Sequence, residues 1–538
     1  MKVCSAAEIA ELVEDGDTIL IGGSGGGHAV PEKLMQAVES RFLASGYPRQ
    51  ITSIHPVGLG DRATTGAARF AHEGLLKRIV CGTFVDAPPI AKMALENKIE
   101  AYTLPQGALS QLIREIAAGR PGLITHVGLH TFVDPRLSGG RQSERATEAL
   151  VSLVEIAGKE WMFYKPFSID VTFLRGTTAD EDGNITMEHE AIFGEMLSMA
   201  QATKRCGGLV IVQVKRLASR GTLPPKQVKV PGMLVDLVVV DPGQWQTYQT
   251  KHDPAYAGEI RIPLTNFKML PLDARGIIAR RSALELYPGA ICNIGSGIAT
   301  GIPAVAAMEG ILDDVVLTNE QGIIGGAPAD GADAGAGRNY SAMIDQPYQF
   351  DFYDGGGIDL AFLSAAEIDE AGNVNVSRFA GKIIGIGGFI NISQNSKTVV
   401  FSGTFTAGGL QVKCEAGGLK IIREGEHRKF VKNVVQICYN GSYARQRGQT
   451  VLYVTERAVF RLTEGGLELI EIANGLSLEH DVLRLMDFKP RVSDKLCHMD
   501  ERIFNANPMN LVSAFEGKGT KRHPRLLRAD SRKRKQTG

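Results

Sequence analysis

Two stretches of this chain are copies of one another. Ile169 to Met187 (IDVTFLRGTTADEDGNITM) aligns without a gap on Ile358 to Val376 (IDLAFLSAAEIDEAGNVNV), with 8 identities in 19 positions, against about one expected from ordinary composition. In both copies an apolar strand runs into an Asp-Glu-x-Gly-Asn turn, and another apolar strand follows, GLVIVQV from Gly208 and TVVFSGT from Thr398. The simplest account is a duplicated α/β domain. A length of 538 residues leaves room for two such domains, each with its own core.

The segments around the copies fill in the unit. Ser5 and Glu8 have capping-box spacing, Ile9, Leu12 and Val13 follow at helical intervals, and Thr18 to Ile21 reads as a short strand entering GGSGGG. After that loop, Pro31 stands where the first turn of a helix, PEKLMQAVESRF, begins. From Leu284 the scheme recurs as LELYPGAICNIGSGIATGIPAVAAM, with Gly295 answering to Gly22 and Pro303 to Pro31. Strands alternating with helices predict two similar open α/β domains, mostly parallel, with ligands at the carboxyl ends of the strands where glycine loops fall. The expected division is 1–240, a proline-punctuated linker over 241–275, a second domain over 276–516, and a basic disordered tail over 517–538. Past residue 440, TVLYVTERAVFRLTEGGLELIEIA reads as short strands around a Gly-Gly turn.

Charge and cysteine bound the function. Residues 517–538 carry nine Lys/Arg and one Asp, so the tail is +8 and the remainder −8, which makes the body a poor nucleic-acid binder. Seven cysteines are scattered without CxxC spacing, as in reduced thiols. Acids at Glu8, Glu11, Glu14 and Asp15 occupy the place of a signal peptide's apolar core, and no apolar run approaches 18 residues; a soluble cytoplasmic protein with no membrane partner is expected.

Glycine is in excess, 62 of 538 residues, and it is clustered. A glycine loop between strand and helix suits a nucleotide, but a G-x-G-x-x-G reading from Gly23 and Gly25 meets His28, and one from Gly295 and Gly297 meets Thr300. Neither Gly-Lys pair is followed by Ser or Thr, so there is no P-loop, and His189-Glu190 lacks the second histidine of a metalloprotease motif; neither cofactor nor metal is expected. Four loops together still favour a ligand role over mere helix–strand packing: those from Gly22, from Gly295, from Gly322 and from Gly385.

In VVLTNEQGIIGG, Glu320 stands at a strand end two residues before Gly322. This stretch resembles the catalytic signature of family I CoA-transferases, in which a glutamate after Ser or Asn, followed by one residue and Gly, forms a glutamyl-CoA thioester. EDGDTILIGGSGGGHAVPEKL, LPQGALSQLIREIAAG, NYSAMIDQPYQFDFYDGGGIDLAFL, GGFINISQNSKTVVFSGTFTAGGL and VLYVTERAVFRL look like the short-chain acetate or propionate branch, close to the 3-oxoacid CoA-transferases, over residues 10 to 485. Three positions depart from the pattern: Ser24 replaces a Phe, one extra residue precedes Pro31, and Gln321 replaces an Asn.

The resemblance implies an acyl-CoA:carboxylate CoA-transferase with its site in the interdomain cleft. Glu320 would be the nucleophile, Gly387 and Gly388 would offer amides to the oxyanion, and Gln106 would reach the thioester carbonyl from the other domain. Coenzyme A would be a substrate, transiently covalent on Glu320. Acyl-CoA and small carboxylic acids of two to four carbons would be its partners, and the assembly a dimer or tetramer. An acyl-CoA hydrolase or a non-catalytic CoA-ester binding protein on the same fold is the alternative. Cys292, inside a glycine loop, reads better as a buried inert thiol than as an acyl acceptor.

Overall fold

In the computed structural model, which describes residues 2–263, 270–415 and 417–519, the expected opening unit is present. Ser5 and Glu8 close a capping box on the helix Ala6–Ala10, which buries Ile9 and Ala10. Strands β1 (Thr18–Ile21), β2 (Ile51–His55), β3 (Val171–Arg175), β4 (Leu209–Val214) and β5 (Leu237–Val240) then form the centre of an eight-stranded sheet in the order β5-β4-β3-β1-β2. All of these pairings are parallel. The apolar runs of β3 and β4 are buried because helices cover both faces of a parallel sheet.

The second half repeats this topology. Strands β6 (Ile291–Ile294), β7 (Val316–Thr318), β8 (Leu360–Ser364), β9 (Thr398–Ser402) and β10 (Thr450–Val454) run parallel in the order β10-β9-β8-β6-β7 within a ten-stranded sheet. The hairpin Ala458–Thr463 with Gly466–Ile472, and then Arg491–His498, extend it beyond β10.

The register carries the duplication down to single residues. Val171 of the first copy pairs with Ile19 and Leu209; Leu360, its aligned partner, pairs with Cys292 and Thr398. The two Asp-Glu-x-Gly-Asn turns close hairpins in the same way, the carboxylates of Asp180 and Asp369 accepting from the backbone and side-chain amides of Asn184 and Asn373 at 2.9–3.0 Å. Gly183 and Gly372, at φ +87° and +81°, hold the left-handed position that explains the shared glycine.

Six helices matter for the site. They are α1 (Glu32–Ser45), α2 (Gln106–Ala117), α3 (Met196–Cys206), α4 (Ile302–Met308), α5 (Gln346–Asp354) and α6 (Phe389–Asn395). Pro31 is the residue just before α1, and Pro303 lies in the first turn of α4. The halves meet where α2 packs on α5 and α6: Arg114 pairs with Asp351 at 2.6 Å, and Gln111 donates to Asp354 at 2.9 Å. Residues 241–263 are packed into this seam, Tyr248 donating to Glu32 at 2.5 Å and Thr247 to Asp333 at 2.6 Å. At the other end Phe515 is buried, and the Lys518 amine donates to the carbonyls of Leu284 and Leu286. The basic tail expected from 517 onward lies outside the described residues after Gly519. Among the described residues no helix is long and apolar enough to cross a membrane.

Candidate functional site

Strand β7 ends in the turn Asn319-Glu320-Gln321-Gly322 and returns as Ile323–Ile324. Asn319 locks the turn from both sides: its side-chain oxygen accepts from the Ile323 amide at 3.1 Å, and its Nδ2 donates to the Gly335 carbonyl at 2.8 Å. Gly322 sits at φ +103°, and a Cβ there would run into the carbonyl oxygen of Ile344. Glycine is therefore required, and it fixes the direction in which Glu320 leaves the strand.

Glu320 as a whole residue is half-buried, its carboxyl the enclosed end. Burial pushes its pKa above the ordinary carboxylate value, while hydrogen bonds from its own backbone, Asn293 and Gln321 pull the other way. Asn293, on β6, donates to the Tyr353 hydroxyl at 3.3 Å; Tyr353 donates to Thr318 at 2.8 Å, and Thr318 to the Cys292 carbonyl at 2.9 Å. Burial raises the Tyr353 phenol above its ordinary value, so it stays protonated as a donor in this chain. Gln349, one turn earlier on α5, is buried, and neither of its amide atoms finds a hydrogen bond of ordinary length; the same holds for Asn293 Oδ1. Cys292 is buried and its thiol pushed up by desolvation, in keeping with an inert side chain.

Gln106 opens α2 and is buried at the seam. Its backbone amide donates to the Gly387 carbonyl at 3.0 Å and its Nε2 to Gln346 Oε1 at 3.1 Å. Gln346, which opens α5, donates its own backbone amide to the Gly194 carbonyl at 2.9 Å. The two glutamines thus bind reciprocally across the seam, each reaching the turn that starts a helix of the opposite half. The Gly387 amide donates to the Gly82 carbonyl at 2.8 Å, which leaves Gly388, at the start of α6, as the amide of the pair not held by Gly82.

One helix face joins these parts. Gln346, Gln349 and Tyr353 are spaced by three and four residues on α5, so they form a stripe about 10 Å long, with the Gln106–Gly387 cluster at one end and the Asn293–Glu320 cluster at the other.

The glycine loops divide. The first loop, Gly22 to Gly27, is docked beside the turn of Glu320: Gln321 Nε2 donates to Ser24 Oγ at 3.4 Å, and His28, kept neutral by burial with its pKa down to about 4, shares a hydrogen bond with the Ala334 carbonyl at 3.1 Å. Within it the Gly22 amide donates to Phe173, and Gly23 and Gly25 pack against Val30 and Asp86. Gly295 and Gly297 pack against Phe362 and Ser364. Beside this second loop a cavity of about 630 Å³ opens between Ile298–Ala304 and Ala327–Gly331, with Arg275 and Arg338 in its wall. A smaller recess that shares Pro328 with it is lined by Thr318 and Asn319.

Sequence reading alone missed Asn293, Gln349, Tyr353 and Gln346. The available signal was polarity: an Asn inside the apolar run ICNI and two glutamines on a helix whose buried face also carries Phe350.

Residues 3–241 match the family model described as coenzyme A transferase. The chain is 44% identical over 513 residues to acetate CoA-transferase YdiF of Escherichia coli K12, an alignment covering 95% of this chain and 97% of that protein. It is 44% identical over 512 residues to caffeate CoA-transferase of Acetobacterium woodii, covering 94% and 97%. The crystal structure of the acyl-CoA transferase YdiF from E. coli O157:H7, a thioester complex with CoA, superposes with a TM-score of 0.91 at 44% identity, covering 95% of this chain and 97% of that one.

Proposed function

Since the chain belongs to the coenzyme A transferase family, we propose that it exchanges CoA between short-chain acyl-CoA and free carboxylic acids, with Glu320 as the covalent carrier. The observation that carries this reading is the setting of Glu320: a partly desolvated carboxyl at a strand end, at the seam of the two halves, answered by amide groups. Desolvation raises the basicity of a carboxylate and with it its strength as a nucleophile.

The chemistry follows in balanced steps. Glu320 attacks the acyl-CoA carbonyl, and CoA leaves as thiolate, giving a mixed anhydride between Glu320 and the acyl group. The thiolate then attacks the glutamyl carbonyl, which expels the acyl group as a free acid and leaves CoA in thioester linkage to Glu320. An incoming carboxylate runs the sequence in reverse. Each addition places negative charge on an oxygen, and donors aimed at it are worth about 2.7–4 kcal/mol apiece in favourable sites. The Gly388 amide and Gln106 are suited to that role from one end of the α5 stripe, and Asn293, oriented by Tyr353, from the other. The cavity, walled by Asp273 and Asp330 as well as Arg275 and Arg338, has room for part of CoA, with the recess at Thr318 and Asn319 leading toward the turn. The preference for chains of two to four carbons rests on the likeness to acetate CoA-transferase; in a small pocket a methylene that finds no burial gains none of its roughly 0.8 kcal/mol.

Incubation with acetyl-CoA plus propionate tests the reading. Transfer gives propionyl-CoA with parallel double-reciprocal plots, and acyl-CoA alone leaves CoA on Glu320. Release of free CoA without propionyl-CoA would make the protein a hydrolase, and no turnover would make it a binding protein. A higher kcat/KM for octanoyl-CoA than for propionyl-CoA would overturn the short-chain preference.

A further inference from the structure

Away from the reacting carboxylate, the segment packed into the seam brings two imidazoles and a carboxylate together. His189 follows the hairpin of the first repeat, and His252 and Glu259 lie on the segment after β5. Nε2 of His189 is 3.6 Å from Glu259 Oε1, and Nε2 of His252 is 3.8 Å from Oε2. The two rings are 4.5 Å apart between centroids, tilted by 38°, and one potential donor atom from each of the three residues lies within 4.8 Å of the others. Among the described residues this is the one such group of three or more.

The two His–Glu separations are too long for hydrogen bonds and close to those of ligands around a tetrahedral ion, whose donors at 2.0–2.2 Å from the metal stand about 3.3–3.6 Å apart. The backbone beneath is held in place. Gln246 donates from its side chain to the His189 carbonyl at 2.8 Å and accepts from the Asp253 amide at 2.8 Å, so His252 is carried over His189. The Glu259 amide donates to Pro254 at 2.9 Å, which turns its carboxylate back toward both rings. His189 Nδ1 is buried without a partner.

We propose that His189, His252 and Glu259 form a divalent-metal site of the zinc class, with a fourth position open to water. Two imidazoles with one carboxylate are a donor set for zinc, nickel or copper rather than calcium or magnesium. The ion ties the segment 246–259 to the hairpin of the first half. The same segment holds Asp333 through Thr247 and Thr250 and Arg338 through Asp253, on the loop that follows Glu320, so occupancy stiffens the seam on one side of the site.

The test uses the full chain after treatment with a chelator. Titration with Co²⁺ is expected to give the visible absorption of a four-coordinate ion and to saturate at one ion per chain, and Zn²⁺ is expected to displace it. His252→Gln and Glu259→Gln, at partly exposed positions, should each weaken binding by at least about 100-fold, more than loss of a residue outside the ligand shell. Zn²⁺ should slow amide exchange over 246–259 in the wild type and not in His252→Gln. Absence of a stoichiometric site in the wild type would overturn the proposal, as would binding by both variants as tight as that of the wild type.

Discussion

The two halves share a strand order, a repeat turn and a register, yet only the second carries Glu320, the carboxylate proposed as the covalent carrier. Because Ile19 and Cys292 pair with the aligned residues Val171 and Leu360, the neighbouring pairings equate Ser53 with Leu317 and Ile54 with Thr318. Counting on, His55 stands opposite Asn319, Pro56 opposite Glu320 and Gly58 opposite Gly322, while Leu20 answers to Asn293. The first half keeps Leu20, Ile54 and Pro56 buried and apolar. The second half has Asn293, Thr318 and Glu320, all joined in one hydrogen-bonded cluster with Tyr353. The scaffold was duplicated; the proposed chemistry sits where the second copy departs from the apolar pattern of the first.

The largest expected effect falls on the most unequal pair. Glu320→Gln should lower transfer by at least about 10³-fold, because the covalent step has no other carrier. The wild type incubated with acyl-CoA should gain the mass of CoA on Glu320, and the variant should not. Trapped CoA on Cys292 or on the first half would break the comparison. Pro56→Glu should add no second acceptor, since the position lacks the Asn and Thr of its counterpart.

Next come the positions that answer one another across the duplication. Asn293→Leu restores the residue type of the first half and removes a donor from the Glu320 cluster, so kcat should fall about 10–100-fold, the range of one lost hydrogen bond to a charged group. Leu20→Asn should leave the chemistry alone and lower the melting temperature, because it buries an amide in an apolar layer. Steady-state kinetics and thermal melting of the two variants separate the roles; equal loss of kcat in both would show that the asymmetry is not where the chemistry lies.

Much of this was legible before any coordinates. The repeat at Ile169 and Ile358 already implied two like sheets, and the resemblance of the Asn-Glu-Gln-Gly turn to the CoA-transferase signature singled out Glu320. The reciprocal binding of Gln106 and Gln346 left none: each is an ordinary helix-opening residue until the other half is packed against it. The first of the glycine loops presses on the loop 332–335, a contact the sequence did not name, because glycine marks close approach of backbone without saying to what. The segment 241–275, rich in proline and without periodicity, carried no sign that Tyr248 would bind the first half and Thr247 and Asp253 the second.

The smallest expected effect on turnover concerns the residues that open α3 and α6. Gly194 and Gly387 both accept a glutamine amide from the other half, but the next residue is Glu195 in the first half and Gly388 in the second. Glu195 is buried, neither carboxyl oxygen has a hydrogen-bond partner, and burial with Asp345 nearby raises its pKa to about 8. It is therefore largely protonated at pH 7. A carboxyl whose folded-state pKa lies above its unfolded value contributes stability that is fully present below the unfolded value, near 4.3, and is lost as pH rises through 8. The wild type should thus melt progressively lower between pH 5 and pH 9, with Asp354, raised to about 7, and Asp86, raised to about 6, adding to the fall. Glu195→Gln keeps the shape and cannot ionise, so the difference between the two melting curves isolates this one group. The variant should gain several degrees on the wild type by pH 9, at about 2–4 °C per kcal/mol for domains of this size, with kcat at pH 7 nearly unchanged. A difference independent of pH would mean that Glu195 is solvated or paired in solution, and that the two helix openings are equivalent after all.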